Sequence, residues 1–350
     1  MSSKKRITLR DTLSIGGGEP ISVQTMTNTK TEDTAGTIQQ IESAVQAGCD
    51  IIRVSCPSRE AAVSLGEIIR NTTIPVIADI HFDYRLAMMA IENGAHCIRI
   101  NPANIDESGI RKIVDAAKDT GCAIRIGINS GSIERSILQK YKEPNADAMV
   151  ESAVVNANKL EDLGFENFKI SVKSSDVRES VRAYRKLAQL VDYPLHIGIT
   201  EAGPVFPGSI KSAIGIGALL MDGVGDTIRV SLTGDILDEI RVGRQILKSL
   251  GMLKDSINIV SCPTCSRTLI DVVAISNELE AMAEDLRIPL KISVLGCVVN
   301  GPGEAMTADI GIFGFQEEYA KIIVRGVEYG TFHQNKVIEE VKKIIESFYM

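Results

Sequence analysis

The sequence contains no tryptophan, and aromatic residues make up only 4% of its 350 positions. A chain so poor in rings is not built to stack sugars or bases. Positive charge is not in excess either: the formal net charge is -7 at pH 7, which argues against a nucleic-acid partner. No apolar run reaches membrane-spanning length, and the opening MSSKKRITLRDT lacks the apolar stretch of a signal peptide. The expectation is a cytoplasmic protein with no membrane partner. Seven cysteines, an odd number with no secretion signal, argue against a disulfide framework. A glycine-rich dinucleotide loop after the first long strand is also missing, which excludes the usual doubly wound reading.

What is present is a regular alternation. Apolar strand segments occur at 21–27, 50–56, 75–81, 97–103, 123–129, 168–174, 194–200 and 227–233, separated by amphipathic helical patterns. Strand and helix in turn, eight times within roughly 250 residues, predict an α/β fold of the (β/α)8 TIM-barrel type. The run Gly16–Gly18 reads as the turn of an N-terminal hairpin, and the polar stretch 130–144 as a long loop before a helix capped near Asn145. A helix over 235–250 ends the barrel. Residues 1–253 are assigned to this substrate-binding domain and 254–350 to a smaller α+β domain. The second domain is expected to run strand 257–261, helix 267–285, strand 290–295, a glycine turn, strand 308–313, a strand pair around 326–330 and helix 334–348.

Barrel interiors are filled by Val, Ile and Leu, yet here Arg53, Arg99, Lys169 and Arg229 lie within alternate strands and Arg125 within a fifth. Two positions on, the same face carries Ser55, Asn101, Gly127, Ser171 and Ser231, with Asn129 beyond. Such a group of cations is costly inside low-dielectric walls unless an anion joins it, and a diphosphate matches forked arginine donors. The alternative is an internal ion-pair network with Asp79, Glu201 and Asp226, or strands registered so that some cations point outward. Asp79 and His81 close the third strand and Glu201 the seventh, at the face where barrel enzymes carry their chemistry. Cys49, Cys56, Cys97 and Cys122 read as core residues; His96 and His333 read as structural.

Near the C-terminus stand SCPTCSR (261–267) and GCVVNGPGE (296–304). Cys262 and Cys265 form a C-x-x-C pair, Cys297 follows after a helix and a strand, and Glu304 sits where a flexible glycine turn would let it bend back. Three thiolates and one labile carboxylate suit an iron–sulfur cluster with an exchangeable corner better than structural zinc. Zinc and a redox dithiol remain open on these residues alone.

Taken together, MTNT (26–29), ADIHFDYR, RINPAN, RIGIN, TEAG, TIRVSLT, SCPTC and GCVVNGPGE resemble the iron–sulfur 4-hydroxy-3-methylbut-2-enyl diphosphate synthases of the methylerythritol phosphate route to isoprenoids, in their short bacterial form. The resemblance covers nearly the whole chain. It implies a [4Fe–4S] cluster on Cys262, Cys265, Cys297 and Glu304, fed by flavodoxin or ferredoxin. It also implies a two-electron reductive ring opening of 2-C-methyl-D-erythritol 2,4-cyclodiphosphate. Glu201 would be the acid. Arg53, Asp79, His81, Arg99, Arg125, Asn129, Lys169, Arg229, Ser231 and Asn300 would bind the substrate. A head-to-tail homodimer is expected, because the last barrel helix returns the chain to the far face and the connector 251–256 spans at most about 20 Å. The rival readings are a barrel transferase resembling dihydropteroate synthase with a zinc-stapled accessory domain, and a non-catalytic electron carrier.

Overall fold

The chain opens with an antiparallel hairpin, β1 (Arg6–Leu9) and β2 (Leu13–Gly16). Its apolar side chains Ile7, Leu9 and Ile15 are buried against Ile51, Ile77, Cys97 and Ala123 at the beginnings of four barrel strands. The hairpin therefore seals the amino-terminal end of the barrel. The expectation that Gly16–Gly18 form its turn is corrected: the turn is Arg10–Thr12, with Arg10 and Asp11 at positive φ. Arg10 is held there by donating to the carbonyls of Ala95 (2.7 Å) and Ile91 (2.5 Å). Position 16, the last of β2, requires glycine, because its φ is +80° and a Cβ there would lie within 2.6 Å of Ser3, Lys5 and Pro194. The computed structural model describes residues 3–253 and 255–349.

Eight parallel strands follow: β3 (Ser22–Met26), β4 (Ile51–Ser55), β5 (Val76–Asp79), β6 (Cys97–Ile100), β7 (Ala123–Asn129), β8 (Phe168–Lys173), β9 (His196–Ile197) and β10 (Thr227–Ile228). Their order is β8-β7-β6-β5-β4-β3-β10-β9, and a parallel bridge between Ile170 and Leu195 joins the two ends. The expected (β/α)8 barrel is thus present. Its last two strands hold only two residues each, because side chains take over nearby backbone donors. The Leu195 amide donates to the Asp226 carboxylate at 2.8 Å, and the Leu232 amide to Glu239 at 3.0 Å.

The outer helices start where short polar residues can accept from their first free amides. Asp33, Ser58, Asp83, Asp106, Asn145, Asp176 and Asp235 all do so. The stretch expected to be loop holds a short helix, Arg135–Tyr141. The final barrel helix, Ile236–Ser249, runs back along β3: Gly243 faces Val23, and Arg244 reaches the Gly48 carbonyl ahead of β4.

The chain divides into two compact units between Leu250 and Gly251. The second is a five-stranded sheet, β11 (Ile257–Ser261), β12 (Leu290–Leu295), β13 (Ile310–Gln316), β14 (Tyr319–Val324) and β15 (Val327–His333), in that spatial order. The first three strands are parallel and the last two pair antiparallel. Helices Val272–Asp285 and Val337–Tyr349 bury Val272, Ile275, Leu279, Val341 and Ile344 against it. The first of these helices begins five residues later than expected, since Asp271 caps it by accepting from Ala274. Among the described residues no helix is long and apolar enough to cross a membrane.

Candidate active site: a cationic barrel mouth and a cysteine-bearing turn

Asp79 pairs with Arg99, Arg99 with Arg125 and Arg125 with Lys169 across β5 to β8. A cavity of about 110 Å³ opens among Arg53, Asp79, His81, Arg99, Arg125 and Asn129 on one side. Ser171, Lys173, Thr200, Arg229 and Ser231 line the other side. Lys169 is the exception: it is fully buried and outside the cavity lining, and among the described residues its ammonium has no hydrogen-bond partner. It sits too deep, and Lys173, four positions on along the same inward face, takes the place expected of it. The period of two that extends Arg125 to Asn129 also extends Lys169 to Lys173, so the signal for Lys173 was in the sequence. Thr200 had no such signal.

Several cations are held from behind by the protein. Arg99 lies 2.9 Å from Nε2 of His81 and donates to Asp79 at 3.4 Å, while Arg229 donates to Glu239 at 3.3 Å. Glu239 also accepts from Thr25 at 2.6 Å. Among the described residues, Asp79 is the one carboxylate lining the cavity; Asp226 instead accepts from Ser3 and Leu195. The internal ion-pair network is therefore partial, and cations outnumber carboxylates. Electrostatics register the surplus. Burial, opposed by Asp79, leaves the Arg53 guanidinium well below its ordinary range, and burial with Arg99 brings Arg125 to about 10. Burial brings the Lys169 ammonium down to about 8. Burial would raise the Asp79 carboxyl, but Arg53, Arg99, Arg125 and His81 outweigh it and hold it below the usual range. Glu201 follows Thr200 at the rim, exposed, with a left-handed backbone (φ 52) and outside the cavity lining.

The second unit brings its own groups to one end of its sheet. Cys262 follows β11 and Cys297 follows β12, two adjacent parallel strands paired through Ser261 and Val294. Both cysteines are half-buried, Cys265 is exposed, and none is in a disulfide. The Gly296 amide donates to Sγ of Cys262 at 3.1 Å, and Thr268 accepts the Cys265 amide at 3.1 Å. The expected open glycine turn is instead a short helix, Gly301–Met306, with Asn300 at its start and Glu304 exposed on it. Pro302 fits the first turn, where no amide partner is needed. Among the described residues no three His, Cys, Asp or Glu side chains gather closely enough to hold a metal ion. The donor set still fits an iron–sulfur centre. Three free thiols stand at or just beyond neighbouring strand ends, and the Gly296 N–H already serves the Cys262 sulfur.

Residues 5–244 match the family model described as the GcpE TIM-barrel domain, and residues 258–347 match that of the GcpE protein C-terminal domain. Among curated proteins, the chain is 54% identical to the 4-hydroxy-3-methylbut-2-en-1-yl diphosphate synthase (flavodoxin) of Caldanaerobacter subterraneus, over 95% of this chain and 94% of the relative. It is 49% identical to the protein of the same name from Geobacter sulfurreducens, over 99% of each chain. Among solved structures, dihydropteroate synthase from Stenotrophomonas maltophilia matches with a TM-score of 0.49 at 13% identity, over 67% of this chain and 94% of that one; nothing is built on so low a likeness.

Proposed function

The chain belongs to the GcpE family, and from that premise we propose that it carries out the synthesis after which its relatives are named. It is an iron–sulfur oxidoreductase of isoprenoid biosynthesis: 2-C-methyl-D-erythritol 2,4-cyclodiphosphate takes up two electrons and two protons, loses water, and becomes (E)-4-hydroxy-3-methylbut-2-enyl diphosphate. The observation that carries this reading is the surplus of buried cations around a cavity with one carboxylate, which suits a doubly charged diphosphate.

The residues take distinct tasks. Arg53, Arg99, Arg125, Lys173 and Arg229 grip the phosphate oxygens, with Ser231 and Asn129 as neutral donors. Asp79 and His81 fix the Arg99 fork, and Lys169 adds charge from beneath. Glu201 delivers a proton to the departing oxygen so that it leaves as water, and Asn300 is presented to the substrate. Cys262, Cys265, Cys297 and Glu304 hold a [4Fe–4S] cluster, which when bound supplies electrons at an exchangeable corner. Residues 1–253 form the substrate domain and 254–350 the cluster domain. Flavodoxin is the electron donor. Two chains pair head-to-tail in the cytoplasm, a reading supported by the return of helix Ile236–Ser249 toward the sealed end of its barrel.

Anaerobic purification with iron, sulfide and zinc analysis, followed by turnover of the cyclic diphosphate with reduced flavodoxin, tests the proposal. A colourless zinc protein without turnover would favour the transferase reading instead.

A further inference from the structure

Lys173 has surroundings that phosphate binding alone does not require. Its ammonium nitrogen lies 3.1 Å from Nε2 of His196, a fully buried residue at the start of β9. On the other side of the ring, Nδ1 lies 2.8 Å from the hydroxyl of Thr227, the register partner of His196 in β10. The ring is also fixed through its backbone. The Tyr184 hydroxyl donates to the His196 carbonyl at 2.7 Å and accepts the Val172 amide at 3.2 Å.

This row satisfies its buried polar atoms in either of two proton arrangements. With Lys173 as an ammonium, it donates to Nε2, and Nδ1–H donates to Thr227. With Lys173 as a neutral amine, its lone pair accepts Nε2–H, and the Thr227 hydroxyl turns to donate to Nδ1. A change of tautomer and one hydroxyl rotation interconvert them, and neither leaves an orphan at these contacts. The neighbouring arginines have no such second state, since guanidinium does not deprotonate in proteins.

The groups facing Lys173 are mostly positive. They are Arg53 from β4, Arg99 from β6, Arg125 from β7 and Arg229 just after β10, while Lys169, on the same strand as Lys173, acts on His196. Asp79 from β5 and Glu239 behind Arg229 offset them in part, and His81, just after β5, lies 3.9 Å from Asp79. Burial first, then Arg125, Arg229, Arg53 and Arg99, push the Lys173 ammonium well below its ordinary range. Burial and Lys173 do the same to a His196 imidazolium. An anion placed in the cavity reverses that balance for the lysine.

We propose that the row Lys173–His196–Thr227 makes the substrate site a proton-uptake site. Lys173 is a neutral amine in the ligand-free cavity and takes one proton from solvent as the diphosphate binds. His196 is the positioning residue that holds it in both states. The inference rests on the diphosphate-binding reading of the cavity, and the experiment separates the two. The full-length protein with its cluster, in the absence of reductant, is titrated calorimetrically with the cyclic diphosphate at about pH 8, in two buffers of different ionisation heat. Each phosphorus of this ligand carries one strongly acidic group, so the ligand itself does not titrate there. Expected is the uptake of about one proton per site, with affinity falling by up to about tenfold per pH unit on the alkaline side. Absence of binding overturns the diphosphate reading; binding with equal apparent enthalpy in both buffers overturns the proton uptake alone. Lys173→Arg should bind without uptake, and Lys169→Met should retain it; the opposite pattern assigns the proton to Lys169 and sinks the proposal. His196→Leu removes the acceptor for the ammonium, so affinity should fall at lower pH, and His196→Gln, whose amide presents either oxygen or NH2, should restore the profile. An unmoved profile in His196→Leu leaves His196 as packing only and overturns its role.

Discussion

Arg53 and Arg229 lie at one cavity and should respond differently to truncation. Arg229 donates to Glu239, so its loss would strand a buried carboxylate. Arg53 donates to the Met26 sulfur and faces Asp79 together with Arg229, Arg125 and Arg99, and Asp79 keeps its contact with Arg99 when Arg53 is removed. Arg53→Ala should therefore weaken substrate binding by about 1.5–3 kcal/mol, the range for a charge-assisted hydrogen bond. The melting temperature of the ligand-free protein should fall less than that of Arg229→Ala, because the repulsion relieved among the cations offsets the attraction lost to Asp79. Calorimetry and thermal unfolding on the same preparation check both halves. Glu201→Gln should leave the dissociation constant nearly unchanged while suppressing turnover, as loss of a proton donor does; a large loss of affinity would move Glu201 into the binding role. The cationic site was legible because arginine is anomalous in a barrel strand. Lys169 lies outside the cavity lining for a reason the sequence hides: alternation tells which face a side chain takes, and only the register and length of β8 tell how far along the barrel it stands.

Strands β3 to β8 were legible from β-branched runs, four of which, β4, β6, β7 and β8, follow a glycine that stops the preceding helix. The two-residue lengths of β9 and β10 were not, since Asp226 and Glu239 replace ladder acceptors from a distance that sequence spacing does not reveal. Glycine misled twice. Gly16–Gly18 leave a hairpin whose turn is built from Arg10 and Asp11, and the glycines at 301 and 303 lie in a helix. That helix is seated by another glycine: a Cβ on Gly311 of β13 would come within 2.3 Å of the Ala305 backbone. Gly311→Ala should therefore lift the segment carrying Glu304 off its sheet. Iron content should drop and the second unit should become more sensitive to protease, while binding of the cyclic diphosphate to the barrel stays intact. Loss of barrel binding as well would mean that the two units do not respond separately.

Over the whole molecule, the family shows in motifs spread across both units, whereas the pairing of two chains leaves no motif at all. The proposed head-to-tail dimer makes a prediction that no single chain can meet. Glu201→Gln and Cys297→Ala chains, each inactive alone, should regain activity when mixed under subunit exchange, because one hybrid site then combines an intact barrel with intact cluster ligands. Verified hybrids with no recovered turnover would rule out a shared site. The hairpin β1–β2 has a further consequence at this scale. With Ile7, Leu9 and Ile15 stopping one end of the barrel, the charged chamber is a cul-de-sac. Product, itself a diphosphate, must back out by the door through which the next substrate enters, and the two cannot pass. Inhibition by product should then be strictly competitive with substrate, and raising salt, which screens the chamber's pull on both, should speed departure as it slows arrival.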